Sequence, residues 1–195
     1  MSGIFISYRV GQTGAVAHVL FERLVDHFGP EAVYLDARSI APGEDFSRSL
    51  YTRLVGSDVV VAVIGPDWTT VSGTDGRPKI MNENDFVRRE LAEALARNIP
   101  VIPLLVESAR MPARDELPAD LQSLAHRQYV HLRVRDGDQA VNQLVDSIKA
   151  LVSELRHRQG PVNRGPTPGT IAGGVIANIN VGGMNHISIN DVERR

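Results

Sequence analysis

Residues 59–64 read VVVAVI, an unbroken apolar run that is almost entirely β-branched. A strand with one wet face alternates polar and apolar residues, whereas a strand covered on both sides does not. The run therefore predicts a strand buried on both faces, ended by Gly65-Pro66. Such a strand needs apolar layers above and below it, so its neighbours in the chain decide the architecture.

Working outward, two shorter apolar runs precede it, Ile4–Ser7 and Val33–Leu35, and two follow it, Val101–Val106 and a weaker Tyr129–Leu132. Helical spacing fills the gaps. Val16, Val19, Leu20, Leu24 and Phe28 make one face of a helix over 15–28 that Gly29-Pro30 stops. Phe46, Leu50 and Leu54 make a second, ending near Gly56, and Leu144, Ile148, Leu151 and Leu155 mark a last helix over 140–155. Residues 119–124 predict a short helix, and Pro103 argues against full pairing of the fourth strand. Strand and helix alternate five times. That pattern predicts an α/β fold, a five-stranded parallel sheet with helices on both faces.

Ligands of such sheets gather at the carboxyl ends of the strands. This edge receives Ser7, Tyr8 and Arg9, then Asp36 with the loop 36–46 (DARSIAPGEDF), then Trp68 and the start of one more helix. That helix is read over 84–100, NDFVRRELAEALARNIP, with Val87, Leu91, Ala94 and Leu95 as its inward stripe. Asn84 is its expected cap, and Asp85 suits the positive end of its dipole. Phe86 and Glu90 are four apart and share a side. Taken alone, Glu90 reads as a solvated helix residue. Arg9 fits either a solvated loop cation or a donor to phosphate oxygens, Asp36 a loop cap or a site residue, and Phe86 a core ring or a stacking platform. Trp68 reads as packing at the strand end, and Tyr8 as a buried ring with a wet hydroxyl.

Composition narrows the classes. The chain has 195 residues, 43% of them hydrophobic, a formal charge of −2 and no cysteine. Disulfides, thiol nucleophiles and cysteine metal sites are excluded, and the charge gives no nucleic-acid footprint. The six His have no ligand spacing, so no metal is expected. No apolar run reaches the length of a membrane span and the start does not read as a signal peptide, so a cytoplasmic protein without a membrane partner is expected.

The end of the chain reads differently. Residues 158–169 form a Pro/Gly linker, and 170–195 begin with TIAGGVIANINVGGMNHISIN, which lacks acidic residues, Lys, Arg and Pro. Ala177, Ile179 and Val181 alternate with Asn178 and Asn180 ahead of Gly182-Gly183. Low charge, β-branched alternation and Asn ladders suit a stacked cross-β assembly. An added strand or an unstructured tail fits the same composition.

The motifs FISYR at 5–9, VYLDARSIAPGEDF at 33–46, SDVVVAVIGPDW at 57–68 and NDFVRRELAEALARNIPVIPLLVE at 84–107 together resemble a bacterial TIR (Toll/interleukin receptor) domain. The resemblance runs from residue 3 to about 155, within a domain read as residues 1–157, and implies a flavodoxin-like fold, with 36–46 as an assembly loop. Many TIR domains hydrolyse NAD+ with an acid in this helix, which the resemblance places at Glu90. It places Ser7, Tyr8, Arg9, Asp36 and Phe86 around the substrate. Phe86 stands where relatives often carry Trp, and Val10 where they often carry a second Arg. NAD+ would be the substrate, and no cofactor is implied. Within the tail, Ile179, Asn180, Val181 and Gly182 are similar to the RHIM, an amyloid-forming interaction motif, with Asn in place of its usual Gln.

Together these resemblances imply an assembly-activated NAD+ hydrolase of bacterial anti-phage immunity or cell death. It would self-associate through TIR loops and tail and be seeded by a sensor protein with a similar motif. The product, ADP-ribose or a cyclic isomer, stays open. So do two other readings, a non-enzymatic TIR adaptor and a nucleoside glycosyl-transfer enzyme. Phosphoacceptor signalling is set aside, because Ser7-Tyr8 and Gly65 stand where it needs acidic residues.

Overall fold

The computed structural model describes residues 3–11, 13–35, 52–133, 135 and 138–158. The loop 36–46, the linker from 159 onward and the tail lie outside the described residues. In chain order the elements are β1 (Ile4–Ser7), α1 (Gly14–Phe28), β2 (Val33–Leu35), β3 (Val59–Ile64), α2 (Phe86–Ala96), β4 (Val101–Val106), β5 (Val130–Leu132) and α3 (Asp138–Arg158). Residues 52–55 add a helical turn whose Leu54 is buried; one short 3₁₀ segment lies between β3 and α2, and two lie between β4 and β5.

Among the described residues the five strands form one all-parallel sheet in the order β2-β1-β3-β4-β5. This is the flavodoxin-like order, in which the chain reverses direction of travel at β1 and β3. Alternation along the strands splits the core in two. Ile4, Ile6, Val59, Val61 and Val63 face the layer formed by α1 and α3. Phe5, Val60, Ala62 and Ile64 face the layer formed by α2, Trp68 and the 3₁₀ segment Ala119–His126. Every residue of β3 is buried, as its sequence demands.

Pro103 sits inside β4, paired with Ala62 of β3. In a parallel strand the N–H and C=O of one residue point to the same neighbour, and successive residues alternate sides. The carbonyl of Pro100 accepts from Val60 of β3, whereas the N–H of Glu107 donates to Leu132 of β5. Odd-numbered residues of β4 thus address β5, whose pairing starts only at Leu104. The missing N–H of Pro103 falls where the sheet has no partner for it, so β4 pairs along its length after all.

The helix expected over 84–100 is shorter than its pattern. Asn84 does not cap it; its N–H donates to Asn82 Oδ1, and Asp85 is the N-cap, its carboxylate accepting the Arg88 N–H at 2.9 Å. At the other end Asn98 turns left-handed at φ 57°, and the N–H groups of Asn98 and Ile99 bond back to Leu95 and Ala94. This is a Schellman stop, with Asn in the place Gly most often takes. The short helix expected at 119–124 is a 3₁₀ segment over Ala119–His126.

After β4 the chain is fastened by Glu116, whose carboxylate accepts from Arg110 and from the Ala113 N–H at 2.8 Å. The Arg110 hydrogen bond, followed by the Ala113 N–H, lowers the Glu116 carboxyl from its ordinary 4.5 to about 2. A carboxyl lowered in the folded state stabilises it above the unfolded value and loses that contribution as pH falls toward the folded one. Carboxyl-detected NMR titration of the protein should find Glu116 still ionised at pH 3. Arg110→Ala should raise its titration toward the ordinary value.

Candidate active site

β1 delivers alternate side chains to opposite faces, and the alternation continues past its last residue. Ser7 follows Phe5 to the α2 side and Tyr8 follows Ile6 to the α1 side, where it is buried close to Gly14. Arg9 turns back to the α2 side. The structure therefore does not bring Tyr8 to the other candidate residues: it is a core residue under α1, 3% exposed.

Ser7 and Glu90 do meet. The Ser7 hydroxyl donates to Glu90 Oε2 at 2.6 Å, a buried bond across 83 residues of sequence. This is the short distance of a hydroxyl on a carboxylate. Glu90 is 3% exposed, so the solvated reading of this helix residue does not hold. It nonetheless lines a groove of about 510 Å³, together with Leu54, Phe86, Arg89, Glu93 and Asp120. Phe86 is the first residue of α2, half exposed, and its position one turn before Glu90 puts both on the groove.

Arg9 is likewise no solvated cation. It is 6% exposed, and its two terminal nitrogens form a fork on Asp85, Nη1 to Oδ2 at 2.7 Å and Nη2 to Oδ1 at 3.0 Å. Its guanidinium carbon lies 5.9 Å from the ring centre of buried Trp68, within cation–π range. Trp68 is packing, as its place after β3 suggests. The loop that leaves Arg9 is tied down by Thr13, whose N–H donates to the Arg9 carbonyl at 3.1 Å. Arg88, in the first turn of α2, donates to the Met81 carbonyl and to Asp120.

Asp85 is the site residue that sequence reasoning missed. Its fit to the helix start was legible, but nothing in its spacing points to an Arg 76 positions away. The only sequence signal is the coincidence of two charges of opposite sign at the same edge of a parallel sheet. Asp36 and the tail residues Ile179, Asn180, Val181 and Gly182 lie outside the described residues.

An all-parallel sheet in this order, with a carboxylate seated at the end of its first strand and lining a groove, defines an α/β domain with a candidate site at the strand ends. A sequence model of the TIR domain matches residues 4–145, and the chain belongs to the TIR domain family. NAD(+) hydrolase sarm1 of Drosophila melanogaster is 28% identical over 123 residues, which are 63% of this chain and 8% of that protein. The match thus spans a small part of that relative. Among solved structures, the TIR domains of the activated Roq1 resistosome that recognises the pathogen effector XopQ align with a TM-score of 0.57 at 14% identity, covering 76% of this chain and 99% of theirs. A metazoan TIR-STING receptor from C. gigas aligns at 0.52 and 17% identity, covering 74% of this chain and 38% of that one. Both support the fold. Among the described residues no helix is long and apolar enough to cross a membrane.

The buried ion pair makes a direct stability prediction. Asp85→Ala removes the helix cap and leaves the Arg9 charge buried without its partner. Breaking a buried pair in this way costs about 3–5 kcal/mol. Urea unfolding should show that loss, against about 1–3 kcal/mol for Ser7→Ala, which removes one donor from Glu90.

Proposed function

We propose that the protein is an NAD+ hydrolase with Glu90 as its reacting carboxylate. The observation that carries this reading is the Glu90 carboxylate itself, largely withdrawn from water, held by Ser7 at 2.6 Å and lining an open groove. The similarity to a protein named NAD(+) hydrolase supports it.

The chemistry asks little of the protein. As the bond between the ribose anomeric carbon and the nicotinamide nitrogen breaks, its electron pair leaves with neutral nicotinamide and positive charge develops on the sugar. A fixed carboxylate beside that carbon stabilises the oxocarbenium-like state, and more strongly where water is excluded. Water then adds to the anomeric carbon and releases a proton, leaving ADP-ribose; a cyclic product would form if an adenine nitrogen added instead. Nicotinamide leaves without prior protonation, so a second carboxyl is not needed. The half-exposed ring of Phe86 on the same groove offers a face for the nicotinamide or adenine.

In this proposal residues 1–157 are the TIR domain, 158–169 a linker, and 170–195 a RHIM-like amyloid segment that gathers TIR domains together. Clustering raises their local concentration and favours a site completed between copies. The Roq1 TIR domains belong to an assembly, which supports self-association as a mode of action for this fold. The setting is a cytoplasmic bacterial defence or cell-death response, with a sensor protein bearing a similar motif as the seed. One observation favours a second reading: Glu90 is so deeply placed that in a non-enzymatic adaptor its bond to Ser7 is a structural fastening.

NAD+ loss and nicotinamide release by the full chain separate the two. Hydrolysis should fall about 100- to 1000-fold in Glu90→Gln, the scale of removing one preorganised charge stabiliser. It should weaken when residues 159–195 are deleted. A chain shown to be assembled that turns over no NAD+ is an adaptor.

A further inference from the structure

Arg9 and Asp85 are buried, opposite in charge and paired across the sequence, and hydrolysis at Glu90 does not use them directly. A phosphate-binding part for Arg9 would require donors facing the groove. Each terminal nitrogen of Arg9 gives a hydrogen to Asp85, and the Nε–H is buried with no hydrogen-bond partner among the described residues. Its guanidinium lies against Trp68, and Arg9 is not among the residues that line the groove.

What the pair does touch is the start of the Glu90 helix. Asp85 Oδ1 accepts both the Arg88 N–H that closes the first turn of α2 and one branch of the Arg9 fork. One carboxylate thus joins the end of β1 to the beginning of α2. Spacing makes the second link. Ser7 and Arg9 are two residues apart on one face of the strand line, about 7 Å, and Asp85 and Glu90 are five residues apart on the helix, about 7.5 Å. The strand line and the helix run in opposite directions past each other, so Arg9 meets Asp85 where Ser7 meets Glu90. Two fastenings at matched spacing fix both the height and the tilt of α2. A helix is stiff over five residues, so a displacement at Asp85 arrives undiminished at Glu90.

We propose that Arg9 and Asp85 are positioning residues: their buried ion pair sets the start of α2 so that the Glu90 carboxylate is held in its reactive place against Ser7. The effect on rate rests on the reading of Glu90 given above; the effect on geometry does not.

The test is the double variant Arg9→Met with Asp85→Asn. Met keeps volume over Trp68, Asn keeps the N-cap, and no unpaired charge is left inside. For the full chain, kcat for NAD+ is expected to fall about 10- to 100-fold, the scale of a small misplacement of a reacting group. KM is expected to stay within about twofold, since no substrate contact is removed. In the absence of NAD+, the side-chain carboxyl carbon of Glu90, seen by NMR in uniformly labelled protein and assigned through Glu90→Gln, is expected to shift. A rise in KM of about tenfold with kcat retained would show Arg9 binding substrate and overturn the proposal. A Glu90 resonance left in place would overturn it as well. Should the wild-type chain turn over no NAD+, the hydrolase reading fails by itself. The Glu90 resonance then still decides positioning, a shift upholding it and no shift ending it.

Discussion

Strand β3 has no exposed face, and that constraint organises the rest. An apolar ribbon of six residues has to be covered above and below, so the chain crosses over after each strand and returns in the same direction. All strands then end along one edge, which collects the residues that cannot be buried in an apolar layer. Ser7, Arg9, Trp68 and the start of α2 come together there because β1 and β3 are neighbours, paired from Ile4–Val59 to Ser7–Ala62. The site is thus a by-product of two-sided burial before it is anything chemical.

Polar groups at that edge are satisfied in pairs, the Arg9 Nε–H excepted. Glu90 takes the Ser7 hydroxyl, Asp85 takes the Arg9 fork and a helix N–H, and Thr13 takes the Arg9 carbonyl. A buried ion pair contributes little net stability, because desolvating both charges offsets most of their attraction. Its physical effect is on geometry. A fork on a carboxylate tolerates only a narrow range of distances and planes, so it defines how strand and helix meet. Apolar contacts such as Val87 and Leu91 against the sheet would accept a sliding helix more readily.

How legible this was in the sequence depended on distance along the chain. Strands Ile4–Ser7, Val33–Leu35, Val59–Ile64 and Val101–Val106 stand where their apolar runs put them, because local burial patterns carry that information. The helix over 84–100 was overextended, since the left-handed turn at Asn98 is written in one residue whose preference is weak. Tyr8 was grouped with Ser7 and Arg9 because the three are consecutive, yet alternation sends the middle one to the other face. Glu90 stood out only through its motif; its burial and its bond to Ser7 come from packing. The Arg9–Asp85 pair was illegible, as a contact between two ordinary surface-type residues usually is when no periodicity relates them.

Among the described residues the two outer strands of the sheet, β2 and β5, are three residues each. Pro103 also withholds an N–H from the β5 side just where pairing begins. An edge this short exposes too few unpaired amides and carbonyls to template a strand from another molecule. Many copies can therefore be crowded together without the sheets fusing edge to edge. If copies gather as proposed, their contacts fall to helices and loops rather than to sheet edges.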